Sequence, residues 1–233
     1  MNNKPNLSTG SPNALTTGAV NKLFNSVLNF IFPVECLSCG KKDIILCESC
    51  SAELPFPETE KKGILAATTY DSFIIQKIIK SLKYRKNKLA AKPLADLLFN
   101  RIKDKIKQKE MIIVPAPLSK RRLSQRGFNQ ALLIAEFLSD KFKKERPAIK
   151  IVVYNNVLYK NKNTSSQVEI KERDKRLKNL EGAFFVNNNH LIQGKNIFVI
   201  DDVSTTGATI NEAKRALKNA GAKRVVGLVV AQG

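Results

Sequence analysis

Long apolar runs and a secretory signal are both absent from this sequence. No segment approaches the roughly 18–20 consecutive apolar residues that a membrane-spanning helix requires, so no membrane span is predicted. The first 20 residues are polar, contain a single lysine and lack the apolar and small-residue regions of a signal peptide. We therefore expect residues 1–19 to form a disordered leader on a cytoplasmic protein.

Histidine and acidic residues are scarce. The single histidine, His190, has no partner at a catalytic or metal-binding spacing, so we predict that it lies on the surface. Asp and Glu number 20 against 40 Lys and Arg, which gives a net charge of +20. This excess favours polyanionic partners: nucleic acid, phosphorylated small molecules or an acidic membrane surface. A solvated basic face in a lysine-rich sequence is the alternative, so charge alone identifies no partner.

The 233 residues, 43% of them hydrophobic, are enough for one good-sized domain and a small accessory module. Short apolar segments alternate with amphipathic ones, which predicts an α/β fold with a mostly parallel twisted sheet flanked by helices. The predicted strands are GILAATTY, MIIVPAP, IKIVVYN, AFFV, NIFVID and RVVGLVV. The predicted helices cover residues 71–84 (with Asp71 or Ser72 as N-cap), 89–107, 130–142 and 209–221.

The α/β domain is expected at residues 63–233, preceded by a module at residues 20–56 that combines a helix with four cysteines. The apolar stripe of this helix either packs on the domain or lies on a membrane, and its polar face of asparagine and serine favours packing. Residues 118–129 are interpreted as a basic turn. Residues 160–181 are polar and charged without an apolar period, which predicts a long mobile loop.

Two adjacent carboxylates follow an apolar strand in the stretch IFVIDDVSTTGATI. If the strand comprises Ile197–Ile200, Asp201 and Asp202 emerge at the carboxyl edge of the sheet, where ligands bind in such folds. The next residues form a turn that opens a helix and points hydroxyls and backbone N–H groups at one spot, which suits a phosphate. These residues are Ser204, Thr205, Thr206, Gly207, Ala208 and Thr209.

Two carboxylates beside a phosphate site would repel a bare phosphate. They fit a ligand that also offers hydroxyls, or Mg²⁺ held through water, and a ribose 5-phosphate presents a phosphate and a vicinal diol together. The alternative is that Asp201 and Asp202 merely end a strand while Thr206 or Thr209 caps a helix.

All four cysteines belong to one pattern, C-x2-C-x7-C-x2-C. Two paired CxxC turns supply four thiolates in a tetrahedral arrangement, which favours a structural Zn²⁺ site at Cys36, Cys39, Cys47 and Cys50. Disulfides, a thiol redox pair and an iron–sulfur cluster are the alternatives. Disulfides are disfavoured without a secretion signal.

The stretch VIDDVSTTGAT closely resembles the phosphoribosyl pyrophosphate (PRPP) motif of type I phosphoribosyltransferases. The resemblance implies that Asp201 and Asp202 hold the ribose hydroxyls, with Mg²⁺ accompanying the PRPP. It also implies that the loop from Thr205 to Thr209 holds the 5′-phosphate.

Together with the four-cysteine module, the chain resembles the ComF family of competence-associated proteins from Phe32 onwards. The matching segments are LKY at residues 82–84, VPAPLSKRRLSQRGFNQ at residues 114–130, and NTSSQVEIKERDKRLKNLEGAF at residues 163–184. The resemblance implies a phosphoribosyltransferase fold and a role linked to competence and DNA uptake.

The family likeness adds candidate residues outside the acidic motif. The pyrophosphate loop would be Pro115, Ala116, Pro117 and Leu118. Arg122 and Arg126 would neutralise the leaving pyrophosphate, because arginine forks suit phosphate oxygens. Thr164, Gln167 and Arg173 would belong to a mobile catalytic loop that excludes water on closing. Lys83 and Tyr84 are expected to line the rim of the cleft or to stabilise their helix.

Three functions follow as hypotheses. The first is Mg²⁺-dependent transfer of ribosyl 5-phosphate from PRPP to an acceptor that the sequence does not identify. The second is single-stranded DNA binding by the basic segment KIIKSLKYRKNK, with Tyr84 stacking on a base. The third is a sensor that binds PRPP without turnover.

Overall fold

The computed structural model describes residues 34–160 and 182–233. The predicted leader, the predicted helix at residues 20–31, and Thr164, Gln167 and Arg173 lie outside the described residues. Within them, no helix is both long and apolar enough to cross a membrane.

Helices and strands alternate along most of the described chain, as the apolar pattern predicts. The helices are α1 (Glu48–Ala52), α2 (Phe73–Tyr84), α3 (Ala91–Ile102), α4 (Lys120–Arg126), α5 (Gln130–Glu145) and α6 (Ala208–Asn219). The strands are β1 (Ile64–Thr69), β2 (Glu110–Pro115), β3 (Lys150–Val153), β4 (Leu158–Lys160), β5 (Phe184–Val186), β6 (Asn196–Ser204) and β7 (Arg224–Gln232).

Five strands form one sheet in the order β1-β7-β6-β2-β3, and every pairing in it is parallel. β4 and β5 form a separate antiparallel pair. The α/β prediction with a mostly parallel sheet is therefore confirmed. Because β2 leads outwards to β3 while β6 leads in the opposite direction to β7, the connections reverse between β2 and β6, and such a switch point opens a crevice at the carboxyl ends of the strands.

The two faces of the sheet carry separate hydrophobic cores. One face packs against α2, α3 and α5, and the other packs against α6 and the β4–β5 pair. On the first face, the rings of Phe99 and Phe142 meet edge to face with centroids 4.8 Å apart. Cys36, Leu46, Cys47 and Cys50 belong to this same cluster, so the cysteine segment shares a core with the sheet.

Two local interpretations are wrong. The stretch predicted as a basic turn contains α4, which begins after the N-cap Ser119 and ends at Gly127 with φ of 79°. The strand predicted as NIFVID, which ends at Asp201, continues to Ser204, because β7 keeps pairing with it as far as Gln232. β2 stops pairing with β6 at Ile200, so one side of β6 is open beyond that residue.

Candidate functional site

The acid pair lies in the open stretch of β6, beyond its last pairing with β2. Adjacent residues of a strand point to opposite faces, and the two acids differ accordingly: Asp202 is buried and Asp201 is partly exposed. The backbone of the next β2 segment stays close, since the N–H of Ala116 donates to the carbonyl of Ile200 at 2.9 Å.

Lys83 pairs with Asp202, a contact that the sequence reasoning missed. The Lys83 Nζ lies 2.8 Å from Asp202 Oδ1, and both side chains are largely buried, at 17% and 5% exposure. Buried ion pairs are costly to break because a single buried charge is left uncompensated. The structure therefore places Lys83 at the acid pair rather than only at the rim; its position in the LKY segment was the available signal.

The carboxyl group of Asp201 is buried, although the residue as a whole is partly exposed. Burial and the neighbouring charge of Asp202 raise its pKa to about 7, although the N–H of Asp202 and the cations Lys83 and Arg122 act in the opposite direction. Asp201 therefore gains charge close to neutral pH.

We expect the Asp201→Asn variant to differ from the parent in the pH dependence of its stability. Between about pH 4 and pH 7 the folded parent retains a proton on Asp201 that the unfolded chain has lost, so its free energy of unfolding falls as pH rises through this window. The variant lacks this decline, and its free energy of unfolding gains up to about 4 kcal/mol relative to the parent between these limits. Urea unfolding at five pH values measures the difference. The exposed Asp140→Asn is the control, and parallel curves for parent and D201N contradict the assignment.

The turn after β6 leads directly into α6. Gly207 is its N-cap, with φ of 79°, a left-handed conformation that other residues adopt at a cost. A Cβ at this position would lie 3.3 Å from Asn211 Nδ2, so the turn is also tight. The Oγ1 of Thr206 accepts from the N–H of Ala208 at 3.3 Å. Lys61 donates from its Nζ to the carbonyls of Thr205 and, at 2.7 Å, Gly233.

Replacing Gly207 with alanine tests the geometry of this turn. We expect a loss of roughly 1–2 kcal/mol in the free energy of unfolding and, if the turn binds a phosphate as the sequence predicts, a weaker affinity for it, because the turn must shift. Gly194→Ala is the matched control, since Gly194 has φ of 69° with no heavy atom within 4 Å of a new Cβ. Thermal unfolding and phosphate-ligand titration of both variants separate the effects. Equal ligand affinity in G207A and G194A argues against a role of the turn in binding.

Cations gather beside the loop that follows β2. Arg122 on α4 is close enough to Lys160 at the end of β4 to contribute, after burial, to a lowered pKa of the Lys160 ammonium. Arg126, the last residue of α4, lies over the Tyr84 ring at 5.9 Å. Sequence reasoning missed Lys160 because β4, three residues long, was not predicted. Such convergent cations are a favourable environment for a polyanion.

Four buried polar atoms have no hydrogen-bond partner among the described residues: Arg126 Nη1, Gln130 Oε1, Asp202 Oδ2 and Ser204 Oγ. Two belong to the carboxyl end of β6, and two belong to the helices that follow β2. A buried polar atom without a partner costs about 1–3 kcal/mol, so such atoms are rare unless something else binds them. They flank the crevice at the switch point.

The cysteines come together as the spacing predicts. Their four Sγ atoms lie within 4.8 Å of one another. Gly40, with φ of 75°, follows the first pair, and Cys47 occupies the N-cap position of helix α1, which carries Cys50. The N–H of Cys47 donates to the Sγ of Cys36 at 3.4 Å. Burial raises the pKa of the Cys36 thiol, but N–H donors from Cys39, Cys47 and Ser38 outweigh it and lower the value to about 6.

This donor set fits a metal ion. Tetrahedral Zn²⁺ with four thiolates needs sulfurs about 3.8 Å apart, given Zn–S bonds of about 2.3 Å, and the Sγ atoms of Cys39 and Cys47 are 3.6 Å apart. All four thiols are free of disulfides. His190, by contrast, is exposed, as predicted, and the structure places it in a short 3₁₀ turn.

Comparison with known proteins gives two kinds of likeness. Residues 127–232 match the family described as "Phosphoribosyl transferase domain". The chain is 28% identical to competence protein F of Haemophilus influenzae over 211 residues, which cover 82% of this chain and 86% of that protein. It is 38% identical to competence protein ComFC of Bacillus subtilis over 113 residues, or 48% of this chain, and this match spans only 40% of the length of the relative.

A solved structure of a hypoxanthine-guanine phosphoribosyltransferase from Bacillus anthracis overlaps 63% of this chain and 68% of that chain, with 12% identity and a TM-score of 0.36. Both curated relatives carry the word "competence" in their names.

Proposed function

We propose that this chain, a ComF-type protein with a phosphoribosyl transferase domain, binds PRPP in the crevice between β2 and β6 and transfers its ribosyl 5-phosphate to an acceptor. In this proposal Asp201 and Asp202 accept hydrogen bonds from the ribose hydroxyls, and Mg²⁺ accompanies the pyrophosphate. The turn from Ser204 to Thr209 holds the 5′-phosphate. Pyrophosphate leaves towards the loop of Pro115–Leu118.

The observation that carries the proposal is the set of unpartnered buried polar atoms that flank the crevice. Asp202 Oδ2 is an acceptor that requires a hydroxyl or a cation, and Ser204 Oγ is suited to a phosphate oxygen. Arg126 Nη1 is a donor that requires an anion. A ribose carrying a 5′-phosphate and a pyrophosphate offers partners of all three kinds.

The charged residues around the acid pair have two different roles in this proposal. Lys83 fixes the carboxylate of Asp202 in one orientation, which makes it a positioning residue. Arg122, Arg126 and Lys160 stabilise the negative charge that grows on pyrophosphate as its bond to the ribose breaks. Mg²⁺ supplies additional charge stabilisation to the same leaving group.

Calorimetric titration with Mg²⁺–PRPP, followed by pyrophosphate release across a broad panel of nucleobase and amine acceptors, tests the proposal. Micromolar binding together with acceptor-dependent release supports transfer. Binding without release for any acceptor supports a PRPP sensor and contradicts the transfer step. No binding by folded, metal-loaded protein contradicts the proposal as a whole.

A second candidate, single-stranded DNA binding linked to competence and DNA uptake, is favoured by one surface. Here the solvent-facing side of α2 and the segment after it carry Lys77, Lys80, Arg85, Lys86 and Lys88, all exposed. Tyr84 is 73% exposed beside them and has Arg126 at its face. An exposed aromatic ring within a basic track suits stacking on bases. Lys83 does not belong to this basic surface, because its side chain pairs with Asp202.

We expect Lys80→Glu/Arg85→Glu to weaken binding of a dT20 oligonucleotide by about tenfold at low salt, because two phosphate contacts turn repulsive. Fluorescence anisotropy at several salt concentrations measures the loss and the slope. Lys143→Glu/Lys144→Glu on α5 changes net charge equally, at exposed positions away from α2. The same loss in both double variants, or no binding by the parent, rules out a DNA surface on α2.

A further inference from the structure

A second cavity lies where the strands begin, away from the acid pair. It has a volume of about 390 Å³ and is lined by the first residues of β1, β6 and β7 together with the segments that lead into β1 and β2. Small-molecule sites fall between about 300 and 1,000 Å³. The acid pair and the turn that follows it are not among the lining residues.

The walls of this cavity are apolar and its rim is polar. Leu65, Phe198 and Val226 come from neighbouring strands and belong to, or pack against, the core on the α3 face of the sheet. Leu65 and Val226 are only half-buried, so they leave apolar surface facing the opening. Gln108 and Asn196 add side-chain amides, which both donate and accept hydrogen bonds.

The charge at the rim is mainly positive. Lys62, Lys105 and Arg224 line the cavity and are exposed. Within residues 34–160 and 182–233 no carboxylate forms a salt bridge with Lys105 or Arg224. Glu60, a lining carboxylate, is already paired with Arg101. An anionic ligand at the rim is therefore attracted without displacing an existing partner.

We infer that this cavity is a nucleotide site separate from the crevice at the acid pair. The apolar wall formed by Leu65, Phe198 and Val226 accommodates a flat base, and the amides of Gln108 and Asn196 lie within the same lining to bond to its polar edge. Lys105 and Arg224 bind the phosphate at the rim. The ligand class is a nucleoside monophosphate, because apolar, amide and cationic groups occur together in a cavity of this size.

Titration with AMP, GMP and UMP, with adenosine and inorganic phosphate as partial ligands, tests the site. We expect Lys105→Gln/Arg224→Gln to weaken the best nucleotide about tenfold, while Lys143→Gln/Lys144→Gln leaves its affinity unchanged. The same titrations are made with the Asp201→Asn/Asp202→Asn variant, because this variant would no longer bind a monophosphate whose site is the crevice at the acid pair. All the Gln positions are exposed, and circular dichroism confirms folding of each variant.

A nucleotide affinity that is unchanged in D201N/D202N and about tenfold weaker in K105Q/R224Q supports the site, even where PRPP binding is absent altogether. An unchanged affinity in K105Q/R224Q overturns it, as does an affinity that falls in D201N/D202N alone. Inorganic phosphate that binds as tightly as every nucleotide overturns the nucleotide class, and no binding at millimolar concentration overturns the inference entirely.

Discussion

Replacing both Asp201 and Asp202 with asparagine is expected to weaken Mg²⁺–PRPP binding at least 100-fold. Each charge-assisted hydrogen bond contributes about 1.5–3 kcal/mol, and roughly 1.4 kcal/mol corresponds to a factor of ten in affinity. The loss of two such bonds therefore weakens the affinity by more than 100-fold. The two aspartates differ in their surroundings, because Asp202 is buried beside Lys83 while Asp201 is partly exposed.

The two single variants separate these contributions. Asp202→Asn leaves Lys83 without its carboxylate, so it should also lower stability, whereas Asp201→Asn removes a carboxyl that burial keeps hard to ionise. Calorimetry at pH 8, where Asp201 is largely charged, gives the affinities, and urea unfolding gives the stabilities. Asp96→Asn/Asp140→Asn, which changes the half-buried Asp96 and the exposed Asp140 away from the acid pair, is the control. Unchanged PRPP affinity in the double variant at the acid pair refutes the ribose site.

Loss of the four-cysteine site is expected to have the largest effect on stability. Three of the four cysteines are buried in the same hydrophobic cluster as α2, α3 and α5. Binding of a structural metal is linked to folding, so if these thiols hold such an ion, its removal should destabilise the whole domain and not only residues 34–54. We expect Cys36→Ser/Cys50→Ser to lower the free energy of unfolding by about 4 kcal/mol, which is about 10 °C in Tm for a domain of this size.

Elemental analysis by mass spectrometry identifies the ion. We expect one zinc per chain in the parent and none in the double variant. We also expect the parent treated with a chelator to have the same Tm as the double variant. Ser51→Ala, in α1 beside Cys50, is the control for local disturbance. Iron with visible absorption identifies a cluster instead of zinc. A metal-free parent with full stability shows that the four thiols do not form a structural metal site.

The acid pair and the turn after it could be predicted from sequence because they are contiguous: one strand, two carboxylates and a hydroxyl-rich turn occur in a single stretch. Lys83 could not be assigned to the pair, since its contact with Asp202 depends on how α2 packs across the sheet. The extent of β6 was underestimated for a related reason. Asp201 to Ser204 stay in the strand because β7 extends alongside them, and no local pattern reports a partner strand.

Helix α4 escaped prediction for a different physical reason. None of its residues is buried, so its sequence has no apolar period, which is the main signal of a helix. The residues at both ends of α4 are nevertheless typical helix caps. The Oγ of Ser119 accepts from the N–H of Arg122 at 3.4 Å, and Gly127 ends the helix in the left-handed conformation. Because no apolar stripe lies between the capping residues, the basic composition of the segment favoured the prediction of a turn over that of a helix.

The position of β1 at the sheet edge has a consequence for the order of assembly. Among the described strands β1 pairs with β7 alone, joining Ile64 to Gly227 and Thr69 to Gln232. During synthesis on the ribosome, β1 emerges before β7 and every other strand of the sheet lies between them in sequence, so β1 has no partner until β7 has been made. Such distant pairings fold slowly and leave strand edges exposed to aggregation. Until β7 has emerged, β1 and the side of β6 that pairs with β7 are left as unpaired strand edges.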